Sequence, residues 1–103
     1  MGNFGLTDNM ERAFSNAAEW LLKRKLAGQD MLLNAHKKTI KEATELADDP
    51  SLEELADVYI CLVGVSLQNG WSMRDVAAAI EAKNAINEGR TWHRLPDGTW
   101  QHD

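Results

Sequence analysis

The stretch KEATELADDPSLEELADV, residues 41–58, carries two pairs of carboxylates on either side of a break. Glu42 and Glu45 stand three apart, as do Glu54 and Asp57, and side chains at that spacing on a helix project from one face. Between the pairs, Asp48-Asp49-Pro50 stops one helix, and Pro50 at a first helical position after Asp49, followed by Ser51 and Glu54 at capping-box spacing, restarts the next at once. A connection this short makes the two helices antiparallel neighbours, so the acidic pairs face each other across a tight turn.

Reading outward, Asp8 and Glu11 form a capping pair ahead of Met10, Phe14, Ala17, Ala18 and Leu21, which recur at helical spacing until Gly28. The basic run Lys23-Arg24-Lys25 suits a helix C-terminus, where cations complement the dipole. A second helix is predicted from about Asp30 to Ala47 on the stripe Leu32, Ala35, Thr39, Ala43 and Leu46. The third, from about Ser51 to Asn69, is apolar around most of its circumference, so it is expected to be covered on several sides. Gly70 ends it, Ser72 with Asp75 opens a fourth along Met73, Val76, Ala77 and Ile80, and Gly89 closes that one. Beyond it, Pro96-Asp97-Gly98 between two tryptophan-bearing segments predicts a short hairpin or an ordered extended tail. The fold expected is all-α: one four-helix bundle-like domain over residues 1–103, with that short C-terminal appendage.

Composition narrows the functional classes. A net charge of −5 offers no basic path for a polynucleotide. The same acid excess repels a triphosphate unless a metal or a local cluster of cations neutralises it. Cys61 is the single cysteine, so no intrachain disulfide and no Cys/His zinc set exists. No segment approaches the roughly 18 apolar residues of a membrane span. The opening MGNFGLTDNMER has neither a basic leader with an apolar run nor a small-residue cleavage site, which makes a cytoplasmic location the expectation. A chain of 103 residues buries only about two-thirds of its unfolded surface, and pairing with a copy of itself is the expected remedy.

The facing carboxylates are the feature with chemical content. By helical angle Glu42 lies at the edge of the Ala35–Thr39–Leu46 stripe, and Glu54 shares a face with Val58, Cys61 and Val65, so the acids aim at the seam between helices. Four carboxylates there repel one another and pay for lost hydration, which a hard divalent cation offsets. Mg2+ takes oxygen ligands and retains waters, which suits an open carboxylate site that also accepts phosphate oxygens. The competing reading is that Glu53, Glu54 and Asp57 are solvated acids at a helix N-terminus, where the dipole favours them.

The segments Lys41-Glu42-Ala43-Thr44-Glu45-Leu46 and Leu52-Glu53-Glu54-Leu55-Ala56-Asp57-Val58 resemble the MazG-like nucleotide pyrophosphohydrolases, whose signature is EExxE followed after a gap by ExxD. Lys83, Asn87, Arg90 and Trp92 resemble the K…N..R.W pattern that ends many members, and Asp97-Gly98 with His102 resembles the tail of short phage and bacterial members. The likeness covers about residues 36 to 103. It implies an all-α bundle that forms a homodimer or homotetramer, with Glu42, Glu45, Glu54 and Asp57 as ligands for Mg2+, or Mn2+ in its place. It also implies hydrolysis of a nucleoside triphosphate between the α- and β-phosphates, to a monophosphate and pyrophosphate. Two departures stand out: Lys41 replaces the first acid of the EE pair, and the gap between Glu45 and Glu54 is short, as in the subgroup joined by a tight turn.

Within that frame Glu45 is the candidate to orient or deprotonate the attacking water. Lys83, Asn87 and Arg90 supply a cation, an amide and a guanidinium for phosphate and sugar, meeting the neutralisation requirement. Trp20 is the first candidate to stack on a nucleobase, ahead of Trp71 and Phe14, with His36 at the polar edge of the base. The contrasting class is a non-catalytic helical dimerisation module, in which the acids are solvated and the apolar third helix is the whole purpose.

Overall fold

The computed structural model describes residues 7–103, with four α-helices followed by a two-stranded hairpin: α1 Thr7–Leu26, α2 Ala35–Asp48, α3 Leu52–Gln68, α4 Met73–Glu88, β1 Trp92–Arg94 and β2 Trp100–His102. The fold is all-α, as the periodicity predicts. The described residues fall into two compact units, one reaching to Met73 and the other Arg74–Asp103. No described helix is long and apolar enough to cross a membrane.

In the first unit α3 packs against both α1 and α2. Leu21 from α1, Leu32 from the α1–α2 loop and Val63 from α3 form the buried centre, with Phe14, Ala17, Ala18 and Leu67 against it. At Gly64 on α3 a Cβ would lie 3.5 Å from Ala35 Cβ and 3.8 Å from Leu21 Cδ1, ordinary van der Waals distances. Burying a leucine of this kind contributes about 1.5–3 kcal/mol, so these few side chains carry much of the packing energy. Ser66 is buried on the same helix, and its hydroxyl donates to the Leu62 carbonyl at 3.0 Å, which satisfies it without a partner from another helix.

Three boundaries differ from the sequence reading, each for a local reason. α2 begins at Ala35 rather than Asp30, because Asp30 Oδ1 accepts from the Leu32 amide at 3.0 Å and Asn34 adopts φ 62°. The first contact folds the chain into a turn, and the second is a left-handed conformation that asparagine tolerates and a helix interior does not. Leu32 therefore reaches the core from a loop. Asp8 lies inside the first turn of α1 rather than before it. Ser51 is the N-cap of α3, in extended backbone, with its Oγ accepting from the Glu54 amide at 3.0 Å, so Pro50 precedes the cap.

In the second unit, the antiparallel pairs Trp92 with His102 and Arg94 with Trp100 define the hairpin register. Gly98 at φ 90° closes its turn, where Asp97 accepts from the amide and hydroxyl of Thr99 at 2.9 and 2.6 Å.

Candidate metal centre

α2 and α3 are joined by only Asp49, Pro50 and Ser51, so the end of one helix and the start of the next lie side by side. Glu42 on α2 is 7% exposed despite its charge. Glu54, in the first turn of α3, is half-buried, and Asp57 lies one turn on. One carboxylate oxygen from each of these three residues lies within 4.8 Å of the others. The seam predicted from spacing is therefore present in three of its four acids. Glu45 lies outside this close grouping and is exposed.

Electrostatics separate the acids. Glu42 is held below the ordinary carboxyl range, first by its hydrogen bond with Lys38, whose Nζ sits 3.0 Å from Oε1. Glu45 is pushed up, because its protonated form bonds to the Glu42 carboxylate and because Glu42 and Glu54 are like charges nearby. Glu54 is pushed up by loss of hydration first, then by Asp57 and Glu42. The Oε2 atoms of both Glu42 and Glu54 are buried with no hydrogen-bond partner. An anionic oxygen so placed costs stability unless something positive meets it, and a divalent cation fits that donor set of crowded carboxylate oxygens.

Beside the acids lies a cavity of about 520 Å³, lined by Glu42, Asp57 and Lys38 at its polar side and by Trp20, Leu21, Ile60 and Cys61 elsewhere. Trp20 on α1 is 48% exposed, so an aromatic face is available there. Burial pushes the Cys61 thiol up, which keeps it neutral beside the carboxylates. His36 is exposed on α2 and is not among the residues lining this cavity. Phe14 is stacked on Tyr59, with ring centroids 6.1 Å apart, and serves packing. Trp71 is exposed after α3.

Lys83, Asn87 and Arg90 belong to the second unit. Lys83 is exposed near the middle of α4. Arg90 Nη1 donates to Asn87 Oδ1 at 3.3 Å, and Trp92 Nε1 donates to the Asn87 carbonyl at 3.0 Å. The K…N..R.W residues are thus partly explained by contacts among themselves: the tryptophan anchors the hairpin to the end of α4, and the asparagine orients the arginine.

Comparison with known proteins follows the same lines. No family model matches the chain. A protein of Salmonella phage PMBT28 named dATP/dGTP diphosphohydrolase is 35% identical over 100 residues, 95% of this chain. The chain spans about a third (32%) of the length of that curated relative. A solved structure, the cyanophage S-2L MazG-like pyrophosphohydrolase bound to dGDP and three catalytic Mn2+ ions per active site, superposes with a TM-score of 0.73 at 28% identity, covering 94% of both chains. The fold is MazG-like. This agrees with the resemblance carried by the two acidic segments, and the superposition spans nearly the whole of both chains.

One residue beside the carboxylate cluster escaped the sequence reading. Lys38 stands four before Glu42, a spacing that favours an ion pair on a helix, and the structure places its ammonium on the buried glutamate at the edge of the cavity. The spacing was visible in the sequence. What singles out this lysine among several on α2 is the burial of Glu42, which only packing reveals.

Proposed function

We propose that the chain is a divalent-cation-dependent nucleoside triphosphate pyrophosphohydrolase, which cleaves its substrate between the α- and β-phosphates to release a monophosphate and pyrophosphate. The observation that carries this reading is the pair of buried, partnerless oxygens, Glu42 Oε2 and Glu54 Oε2, within a cluster completed by Asp57. Mg2+ is the proposed cofactor, with Mn2+ as its substitute in keeping with the ions of the cyanophage structure. Glu42, Glu54 and Asp57 would hold the cation, with Glu45 as the fourth acid at the outer edge. Such an ion supplies charge neutralisation at the phosphates and a more acidic water.

The chain's own residues account for the remaining requirements. Glu45 is exposed and pushed up, and a carboxylate of raised pKa is the better proton acceptor for an attacking water. The Trp20 face and the apolar wall of Leu21 and Ile60 suit a flat base, with the triphosphate toward Glu42 and Asp57. Lys83, Asn87 and Arg90 are assigned to phosphate and sugar, and His36 to the edge of the base. The partner in assembly is a second copy of the chain, as a homodimer or homotetramer, and the setting is the cytoplasm.

The test is pyrophosphate release from a panel of deoxy- and ribonucleoside triphosphates, with and without Mg2+ or Mn2+. The name of the Salmonella phage relative puts dATP and dGTP first in that panel. Turnover that requires the cation and yields pyrophosphate supports the reading. Absence of turnover together with absence of cation binding returns the chain to the helical dimerisation class.

A further inference from the structure

Lys38 is the cation that the metal reading leaves without a task. Its Nζ lies 3.0 Å from Glu42 Oε1, while Glu42 Oε2 is buried and faces no donor. The lysine side chain is 61% exposed and the glutamate side chain 10%, so the pair joins a fixed carboxylate to a movable ammonium. Lys38 also lines the cavity that holds Asp57 and Trp20. Thus one flexible stem stands between the carboxylate cluster and the space available to a ligand.

A divalent cation on Glu42 places two positive charges beside that ammonium, and the two compete for the same carboxylate. Lysine is a compact point charge on a four-carbon stem, suited to leaving one anion for another. A nucleoside triphosphate entering the cavity brings several anionic oxygens, for which an ammonium is a good partner. Resting on the function proposed above, we infer that Lys38 exchanges partners: it neutralises Glu42 until a divalent cation takes that carboxylate, and then holds a phosphate oxygen of the nucleotide. It is a binding residue that guards the empty site and engages the filled one.

The experiment measures two affinities separately, neither of them through turnover. Mn2+ binding without nucleotide is followed by electron paramagnetic resonance, and binding of a non-hydrolysable α,β-methylene dATP or dGTP in saturating Mn2+ by calorimetry. In Lys38→Met and Lys38→Gln, Mn2+ should bind roughly five- to tenfold tighter, because one opposing charge is gone, and the nucleotide about tenfold weaker. Lys38→Arg should stay near wild type in both. Unchanged or weaker Mn2+ binding in both neutral variants overturns the inference, as does tighter Mn2+ binding with unaltered nucleotide affinity. A wild-type protein that binds no Mn2+ overturns the proposed function itself and this inference with it, whereas wild-type binding with indifferent variants removes only the role of Lys38.

Discussion

Glu54 shows how a single side chain reports on the site. Its carboxyl is pushed up by lost hydration and by neighbouring Asp57 and Glu42, so the fold binds its proton more tightly than the unfolded chain does. The stabilisation from that proton is complete below the unfolded pKa and is lost as pH rises through the folded value. At neutral pH the ionised residue therefore weighs against the cation-free fold. Glu54→Gln should raise the Tm of chelator-treated protein at neutral pH, yet abolish the stabilisation expected of Mg2+ in the wild type, about 2.7 kcal/mol at a hundredfold excess over Kd. Pyrophosphate release should drop by about a hundredfold or more, because outer-sphere changes at metal sites alone cost about 10–100-fold. Differential scanning calorimetry with and without Mg2+ checks both signs; a variant that still gains stability from Mg2+ would remove Glu54 from the ligand set. Gly64 makes a separate point about packing. A methyl there meets Ala35 Cβ at 3.5 Å and Leu32 Cδ2 at 3.9 Å, ordinary contact distances. Gly64→Ala should therefore stabilise by about 0.5–1 kcal/mol through helix propensity, whereas Gly64→Leu should cost about 1–3 kcal/mol by forcing α3 off its neighbours. Urea denaturation distinguishes the two.

Among the elements, α2 and α3 carry the acidic cluster, and the cap between them positions it. Ser51 fixes the Glu54 amide and hence the start of α3, so the acidic pair is positioned by the same bond that begins the helix. The hairpin depends on a different carboxylate. Asp97 is held below the ordinary range by its hydrogen bonds from the Thr99 hydroxyl and amide. A depressed carboxyl contributes stability above its unfolded pKa and loses it as pH falls through the folded value. Amide exchange in Trp92–Arg94 and Trp100–His102 should accelerate, relative to α3, as pH drops below the ordinary aspartate range, and Asp97→Ala should show that acceleration already at neutral pH. Nuclear magnetic resonance over a pH series reads it; a hairpin equally protected at both ends of the series would show that Asp97 is not its clasp. Sequence reading located this turn and all four helices, because Pro, Gly, Asp and capping patterns act over a few residues. It placed the start of α2 five residues early, because the apolar stripe through Leu32 outweighed the turn chemistry of Asp30 and Asn34.

At the scale of the molecule, the apolar surface of α3 asks for more cover than one chain provides. Leu52 is 84% exposed, Leu62 46% and Tyr59 44%, and a groove of about 700 Å³ between α1 and α3 is lined by Phe14, Ala17, Leu55 and Tyr59. Apolar area of this kind on a helix is expected to meet a second copy. Sedimentation velocity should give a dimer or tetramer for the wild type and monomer for the double variant Leu55→Glu, Tyr59→Glu; a monomeric wild type would leave that face to another purpose. The sequence alone determined the helix content, the break at Asp48–Ser51 and the two acidic pairs, since propensity, capping and three-residue spacing are local properties of the chain. Tertiary structure alone decided that Glu42, Glu54 and Asp57 draw within 4.8 Å while Glu45 stays at the edge, and that Lys38 is the lysine joined to the cluster. The reason is that burial depends on how α2 and α3 settle against Leu21, Leu32 and Val63, and the cost of an unpaired charge is set by that burial rather than by its position in the chain.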